Sequence, residues 1–144
     1  MLPAYYDEEL LPPGVHPCEW DEFRQRFGEG VKRARLLEVL RTMLNDAKGC
    51  SFRKAVIFGS FVTKRSEPGD VDILWLTEPD LDREALAEKC RRLLDSSRSR
   101  DNFGCDVFDC AENSDMLGIL TETFGIDKTT QKQHGLVIID LSIL

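Results

Sequence analysis

The stretch VIFGSFVTKRSEPGDVDILW, residues 56–75, places two carboxylates inside otherwise apolar sequence. Asp70 and Asp72 flank a valine and are followed by Ile-Leu-Trp, which is typical of a buried strand. Residues two apart on a strand share a face and lie about 6.6–6.8 Å apart along the chain, so the two charges repel. Burying them is costly unless a cation or hydrogen-bond donors neutralise them. The pattern therefore predicts a neutralising partner, and oxygen ligands favour Mg²⁺.

Gly59 and Ser60 end the preceding strand and suggest where a phosphate would bind. A glycine lets the backbone approach a ligand closely, and the turn amides and the Ser60 hydroxyl can donate to phosphate oxygens. The alternative is purely structural: a tight turn in which Asp70 caps the loop and Asp72 lies on a solvated sheet face. The spacing of Gly-Ser and Asp-x-Asp, both bordered by apolar residues, favours the phosphate site.

The rest of the chain predicts a single-domain α/β (α+β) fold, a mixed sheet of about four strands with helices packed on it. Four prolines within residues 1–20 predict an extended N-terminal arm, and residues 21–144 form the domain. The patterns predict helices at 20–27, 31–47 and 81–94, a short helix through Met116, Leu117 and Leu120, strands at 54–58, 71–76, 105–109 and 136–141, and a loop at 96–102. The apolar tail from Leu136 is a core strand or part of a subunit contact.

Composition limits the class of protein. A length of 144 residues allows one core, and a net charge of −7 disfavours binding to duplex DNA. Lys32, Arg33, Arg35 and Arg41 fit a solvated helix face better than a nucleic-acid patch. Neither a leader nor a membrane-spanning run is evident, which predicts a cytoplasmic protein without membrane association. The five cysteines lack metal-binding spacing and are expected to be free thiols: Cys18, Cys50, Cys90, Cys105 and Cys110.

Gly59, Ser60, Asp70 and Asp72 together resemble the motif of the nucleotidyltransferase superfamily that includes DNA polymerase beta, the antibiotic nucleotidyltransferases and minimal bacterial enzymes of toxin–antitoxin operons. That family also has a third acid on a later apolar strand, which Asp106 in Cys-Asp-Val-Phe matches. Asp109 competes for this role, but three residues along a strand it would face the opposite side. A closer resemblance, which spans nearly the whole chain, comes from LPPGVHPCEWDEFRQRFG, GSFVTKRSEPGDVDILW, FGCDVF and GLVIIDL. Together they look like a bacterial family of small uncharacterised nucleotidyltransferase-like proteins.

The resemblance implies a metal-dependent transfer of a nucleoside monophosphate from a nucleoside triphosphate to a hydroxyl of a protein, RNA or small molecule, with release of pyrophosphate. Asp70, Asp72 and Asp106 would bind two Mg²⁺ or Mn²⁺ ions about 3.5–4 Å apart. Gly59 and Ser60 would hold phosphates. Lys64 and Arg65 would neutralise the triphosphate or are simply solvated loop charges. Because the helical domain of larger relatives is missing, a protein partner or a second copy would complete the acceptor site, unless the site is open to a large acceptor.

Other functions compete with this interpretation. The chain could be a non-catalytic nucleotide-binding or antitoxin-like interaction protein, and the acidic balance weighs against a third option, a nucleic-acid-binding module. The three clustered acids favour the enzyme over the non-catalytic protein, which would gain nothing obvious from them. His16 and His134 lie beside Pro or Gly in predicted loops and are not expected to act as general bases. Trp75 is expected in the core rather than stacked on a base.

Overall fold

The computed structural model contains a mixed five-stranded sheet with helices on both faces, which confirms the α+β class. It describes residues 1–6, 9–50, 52–65, 68–95, 105–112, 116–127 and 131–144. The strands are β1 Gly14–Pro17, β2 Lys54–Phe58, β3 Val71–Thr77, β4 Cys105–Ala111 and β5 Gly135–Asp140. The helices are α1 Trp20–Phe27, α2 Val31–Gly49, α3 Glu88–Leu93 and α4 Met116–Phe124. The predicted loop at 96–102 lies outside the described residues.

The strand order is β1-β5-β2-β3-β4. Strand β2 runs antiparallel to both of its neighbours, β3 and β5, whereas β3 pairs in parallel with β4 and β5 in parallel with β1. In the β3–β4 pair, Asp72 lies directly opposite Asp106. The topology therefore brings together two acids that are 34 positions apart in the sequence.

Strand β1 arises from the predicted N-terminal arm and raises the strand number from about four to five. Its register against β5 runs from Gly14 opposite Gly135 to Pro17 opposite Ile138. The predicted number of about four strands was one too low, because β1 is short and borders prolines and so carries no strand pattern. Pro17 is compatible with this position because β1 is an edge strand, where one side of the backbone needs no partner.

The two faces of the sheet have separate apolar clusters. The larger cluster includes Phe23 of α1, Leu40 of α2 and Leu93 of α3. Trp75 belongs to it, is fully buried, and donates from Nε1 to the carbonyl oxygen of Leu93 at 2.8 Å. On the other face, Leu120 of α4 packs on side chains of β2, β3 and β5. Trp75 is thus a core residue, and the apolar tail forms β5 within the sheet, as predicted.

The predicted helix at 81–94 is shorter in the structure. A 3₁₀ turn spans Arg83–Ala85, and α3 begins only at Glu88. The Asp82 carboxylate accepts from the Glu84 amide and caps the turn, and Leu86 then takes an extended conformation with ψ of 142°. This extended residue breaks the helix that the apolar periodicity had indicated. Among the described residues, no helix has both the length and the apolar character to cross a bilayer.

Cys50 and Cys90 form a disulfide, so the prediction that all cysteines are free thiols was wrong for these two. Cys50 follows the end of α2 and Cys90 lies in α3, 40 residues later. Their separation carries no recognisable spacing, and only the packing of α3 against α2 brings the two Cα atoms to 5.6 Å. The remaining cysteines, Cys18, Cys105 and Cys110, are thiols that are not in a disulfide.

Candidate functional site

The three acids predicted from the sequence lie together at one end of β3 and β4. Asp70 immediately precedes β3, and Asp72 and Asp106 occupy paired positions on the two strands. One carboxylate oxygen from each of the three lies within 4.8 Å of the others. All three side chains are half-buried. We call these residues the acid cluster. Its donor set consists of carboxylate oxygens, which suits a hard divalent cation.

Gly59 contacts the acid cluster through its backbone. It has a φ of +81°, which lies in the left-handed region that favours glycine. A Cβ atom built at this position would overlap Oδ2 of Asp72. Gly59 begins a single 3₁₀ turn, Gly59–Val62, at the end of β2. The glycine of the Gly-Ser pair is therefore needed both for the turn and for the close approach of the Asp72 carboxylate.

The acid cluster opens into a cleft of about 800 Å³, within the usual size range of small-molecule sites. Gly59, Ser60 and the three acids line one side of it. The other side comes from α4 and the connection to β5, and its lining residues include Thr123, Phe124, Ile126, Asp127 and His134. The structure thus brings six of the seven predicted site residues to one cavity, all but Lys64, and adds a wall that the sequence did not predict.

Arg65 and Lys64 differ in their placement. Arg65 lines the cleft and pairs with Asp127 at 2.9 Å and with Glu9 at 3.3 Å. The hydrogen bond to Asp127 is the main factor that raises the pKa of Arg65 above its ordinary value. Lys64 is exposed and does not line the cleft. Arg65 is therefore better placed than Lys64 to bind a phosphate group in the cleft. A phosphate would replace the carboxylates of Asp127 and Glu9 as its ion-pair partner.

Arg33 holds the backbone that leads from Ser60 to Arg65. Unlike the other basic residues of α2, it is only 5% exposed, so the prediction of a solvated face was wrong at this position. Its guanidinium donates to the carbonyl oxygens of Phe61 and Thr63, each at 2.8 Å, and also to those of Phe27 and Arg65. It also lies over the Phe61 ring, 5.0 Å from the centroid. Four backbone carbonyls thus share one cation, which fixes the turn beside the acid cluster.

Asp109 and Cys105 flank the acid cluster on β4 without belonging to it. Asp109 pairs with Arg83 and does not line the cleft that Asp106 lines, which agrees with the prediction that it faces the opposite side from Asp106. Burial, together with the charges of Asp70, Asp72 and Asp106, raises the pKa of the Cys105 thiol to about 12. The thiol therefore stays protonated at neutral pH and is a poor metal ligand or nucleophile.

Comparison with known proteins assigns the chain to a family. The sequence model described as "Family of unknown function (DUF6932)" matches residues 3–140, nearly the whole chain. The chain belongs to the DUF6932 family. No curated protein and no solved structure matches its sequence. The matched region of this DUF6932 protein includes the acid cluster, the glycine turn and every residue of the cleft wall.

Several cleft residues of the DUF6932 chain could not be found from the sequence. The sequence predicts His134 in a loop with no role as a general base, but it is 3% exposed and lines the cleft, with Nδ1 lying 3.0 Å from the carbonyl oxygen of Gly135. Asp127 and Phe108 also reach the cleft. No motif marks Asp127 or His134, because their positions depend on packing between parts of the chain that are distant in sequence, and the Cys-Asp-Val-Phe stretch does not show that Phe108 faces the cleft. His16 instead contacts the carbonyl oxygen of Pro12 at 2.6 Å, outside the cleft.

Proposed function

We propose that this DUF6932 protein is a metal-dependent nucleotidyltransferase that moves a nucleoside monophosphate from a nucleoside triphosphate to an acceptor hydroxyl. The observation that carries the proposal is the acid cluster, with three carboxylates converging beside a glycine turn at the mouth of one cleft. Like charges brought this close repel one another, and a bound cation would offset that repulsion. A ligand that supplies both a cation and phosphates suits this arrangement.

Each residue has a role in the proposed reaction. Asp70, Asp72 and Asp106 would hold Mg²⁺ or Mn²⁺, two ions in all, which when bound neutralise the triphosphate and activate the acceptor hydroxyl. Asp106 would also accept the proton of that hydroxyl. The acceptor oxygen forms a bond to the α-phosphorus as the bond to pyrophosphate breaks. Ser60 and the turn amides would donate to the outer phosphates, with Arg65 as an additional cation.

The test of the proposal is a transfer assay. The full chain is incubated with Mg²⁺ or Mn²⁺, each α-labelled nucleoside triphosphate, and a cell lysate that supplies acceptors and partner chains. We expect label on a protein or RNA band with the native chain and none with Asp70→Asn/Asp72→Asn. Asp109→Asn is the matched control, because it removes an acid from the same strand pair outside the cleft and should leave transfer unchanged.

A second measurement separates binding from turnover. Mn²⁺ binding is measured by calorimetry on the same three proteins. Loss of binding in Asp70→Asn/Asp72→Asn but not in Asp109→Asn supports the metal role of the acid cluster. Metal and nucleotide binding without transfer, even with a lysate present, would favour the non-catalytic nucleotide-binding or antitoxin-like protein. Equal Mn²⁺ binding by all three proteins would reject the proposal.

A further inference from the structure

Three phenylalanines from three different elements meet at the wall of the cleft. Phe58 ends β2, Phe108 lies on β4 and Phe124 ends α4. Their ring centroids are 4.4 Å apart for Phe58 and Phe124, 5.6 Å for Phe108 and Phe124, and 5.9 Å for Phe58 and Phe108. Phe58 is buried, whereas Phe108 is 45% exposed even though its ring packs against the rings of Phe58 and Phe124. We call these three residues the aromatic platform.

The aromatic platform and the acid cluster are parts of one surface. Asp106 and Phe108 are two residues apart on β4 and therefore lie on the same face, about 6.4–6.8 Å apart along the strand. Phe58 is the register partner of Asp72. All of these residues line the same cleft. The cleft thus has a charged end and an aromatic end joined by adjacent positions of three neighbouring strands.

We propose that the aromatic platform binds the base of the nucleoside triphosphate, with the exposed face of Phe108 stacked on the ring. This inference rests on the proposed function. A nucleotide combines a flat aromatic ring with a polyanion, which matches an exposed aromatic side chain next to a cation-binding cluster. An aliphatic acceptor would gain only burial there, whereas a base also gains stacking on the ring.

Stacking determines which nucleotides the platform favours. Every base offers a π-face, so a platform of this kind accepts all of them and prefers those with the larger ring system. We therefore expect ATP and GTP to bind more tightly than CTP and UTP, without strict selection of one base.

The experiment measures binding of the four nucleoside triphosphates and of inorganic tripolyphosphate to the full chain in Mg²⁺. Tripolyphosphate has the charges but no base. We expect Phe108→Ala to weaken ATP binding by about 5- to 150-fold, the range found for loss of one stacked base. Tripolyphosphate binding should not change. Phe108→Trp should bind ATP at least as tightly as the native chain, whereas Phe108→Leu, which keeps the apolar volume, should behave like Phe108→Ala.

Ile119→Ala serves as the matched control, because Ile119 is a 58% exposed apolar residue of α4 that does not line the cleft. The inference is overturned if ATP and tripolyphosphate bind equally well, or if Phe108→Ala weakens both equally. If tripolyphosphate binding requires Asp70 and Asp72 but ATP binds no more tightly than tripolyphosphate, only the role of the aromatic platform in binding the base is rejected. If neither ligand binds, the proposed function fails together with it.

Discussion

Gly59 satisfies two constraints that no other residue type meets together. Its positive φ is unfavourable for residues with a Cβ atom, and that atom would overlap the Asp72 carboxylate. The glycine therefore determines how closely the end of β2 approaches the acid cluster. A substitution at this position acts on the site and on stability at the same time.

Gly59→Ala should lower the free energy of unfolding by at least about 1–2 kcal/mol, the cost of a left-handed conformation for an L-residue. It should also weaken Mn²⁺ binding, because Asp72 must move away from the new methyl group. Urea unfolding measures the first effect and calorimetry the second. Gly69→Ala is the control in the same loop, since nothing lies within 4 Å of its added Cβ. Unchanged stability in Gly59→Ala would contradict the constraint.

Arg33 is the second residue on which the turn depends, because its guanidinium is shared among backbone carbonyls instead of pairing with a carboxylate. Arg33→Met should lower the free energy of unfolding by about 3 kcal/mol or more, since three buried carbonyl bonds lose their donor at about 1–3 kcal/mol each. Arg33→Lys should lower the free energy of unfolding by less than Arg33→Met does, because the ammonium group of lysine keeps three hydrogen-bond donors.

The control for Arg33 is Arg35→Met, an exposed position on the same helix, which should change stability by no more than about 0.5 kcal/mol. Chemical denaturation of the three variants gives the comparison. Equal stabilities for Arg33→Met and Arg35→Met would show that the turn does not depend on the buried guanidinium.

At the scale of elements, α2 and α3 are joined covalently by the Cys50–Cys90 disulfide, which closes a loop of about 40 residues. A loop of this length corresponds to a stabilisation of about 4 kcal/mol in the chain-entropy treatment, and measured values are often lower. Cys50→Ala should therefore lower the free energy of unfolding by about 2–4 kcal/mol. A reductant should destabilise the native chain to a similar extent and leave the variant unaffected.

Thiol titration of the unfolded, unreduced protein provides an independent check of the disulfide. It should find the three free cysteines Cys18, Cys105 and Cys110. Five reactive thiols would contradict the disulfide. Cys110→Ala is the control for stability, because it removes a partly exposed thiol that is not bonded.

The elements differ in how far their sequences determine them. Strands β2 and β3 could be predicted because each is a short apolar run bounded by glycine or proline turns. Strand β1 could not, because four residues next to prolines carry no apolar alternation and are ordered only by pairing with β5. The helix predicted at 81–94 forms only from Glu88 onward, because a side-chain cap at Asp82 favours a local 3₁₀ turn over the apolar periodicity.

The candidate site likewise contains some residues that could be predicted from the sequence and others that could not. Asp70 and Asp72 could be found because two carboxylates within an apolar strand are unusual in themselves, whereas Asp106 was found only through the resemblance to the nucleotidyltransferase motif. Phe108 gave no signal of its own, since an aromatic residue on a strand is ordinary and its 45% exposure is visible only in the structure. The partnership of Arg65 with Asp127 likewise joins two loops far apart in the sequence. Chemistry that is unusual for its surroundings is visible in one sequence, whereas chemistry that depends on long-range packing is not.

For the whole molecule, we expect the free energy of unfolding to fall as the pH rises above about 9, because of the buried thiol of Cys18. Burial, together with the charge of Glu22, raises the pKa of Cys18 from 9.0 to about 12. Between these values the unfolded thiol loses its proton and the folded thiol keeps it, so the folded state binds more protons. The free energy of unfolding therefore falls as the pH rises, by up to about 1.4 kcal/mol per pH unit for this group.

Cys18→Ala should reduce that slope over pH 9 to 11 in denaturant titrations, even though the substitution itself costs some stability at neutral pH. A slope identical to that of the native chain would show that the Cys18 thiol ionises equally well in the folded state. Glu22→Gln offers a second comparison, because it removes the negative charge that helps to raise the pKa while the burial of Cys18 remains.

The position of β5 between β1 and β2 has a consequence for biosynthesis. As the ribosome makes the chain, β1 and β2 emerge well before residues 135–140, so the edges of these two strands that pair with β5 stay open in the meantime. Strands β3 and β4, which carry Asp72 and Asp106, also emerge before the strand that joins β1 to β2. The sheet therefore cannot close until β5 has left the ribosome, and until then its open edges are ones that a chaperone would protect from aggregation.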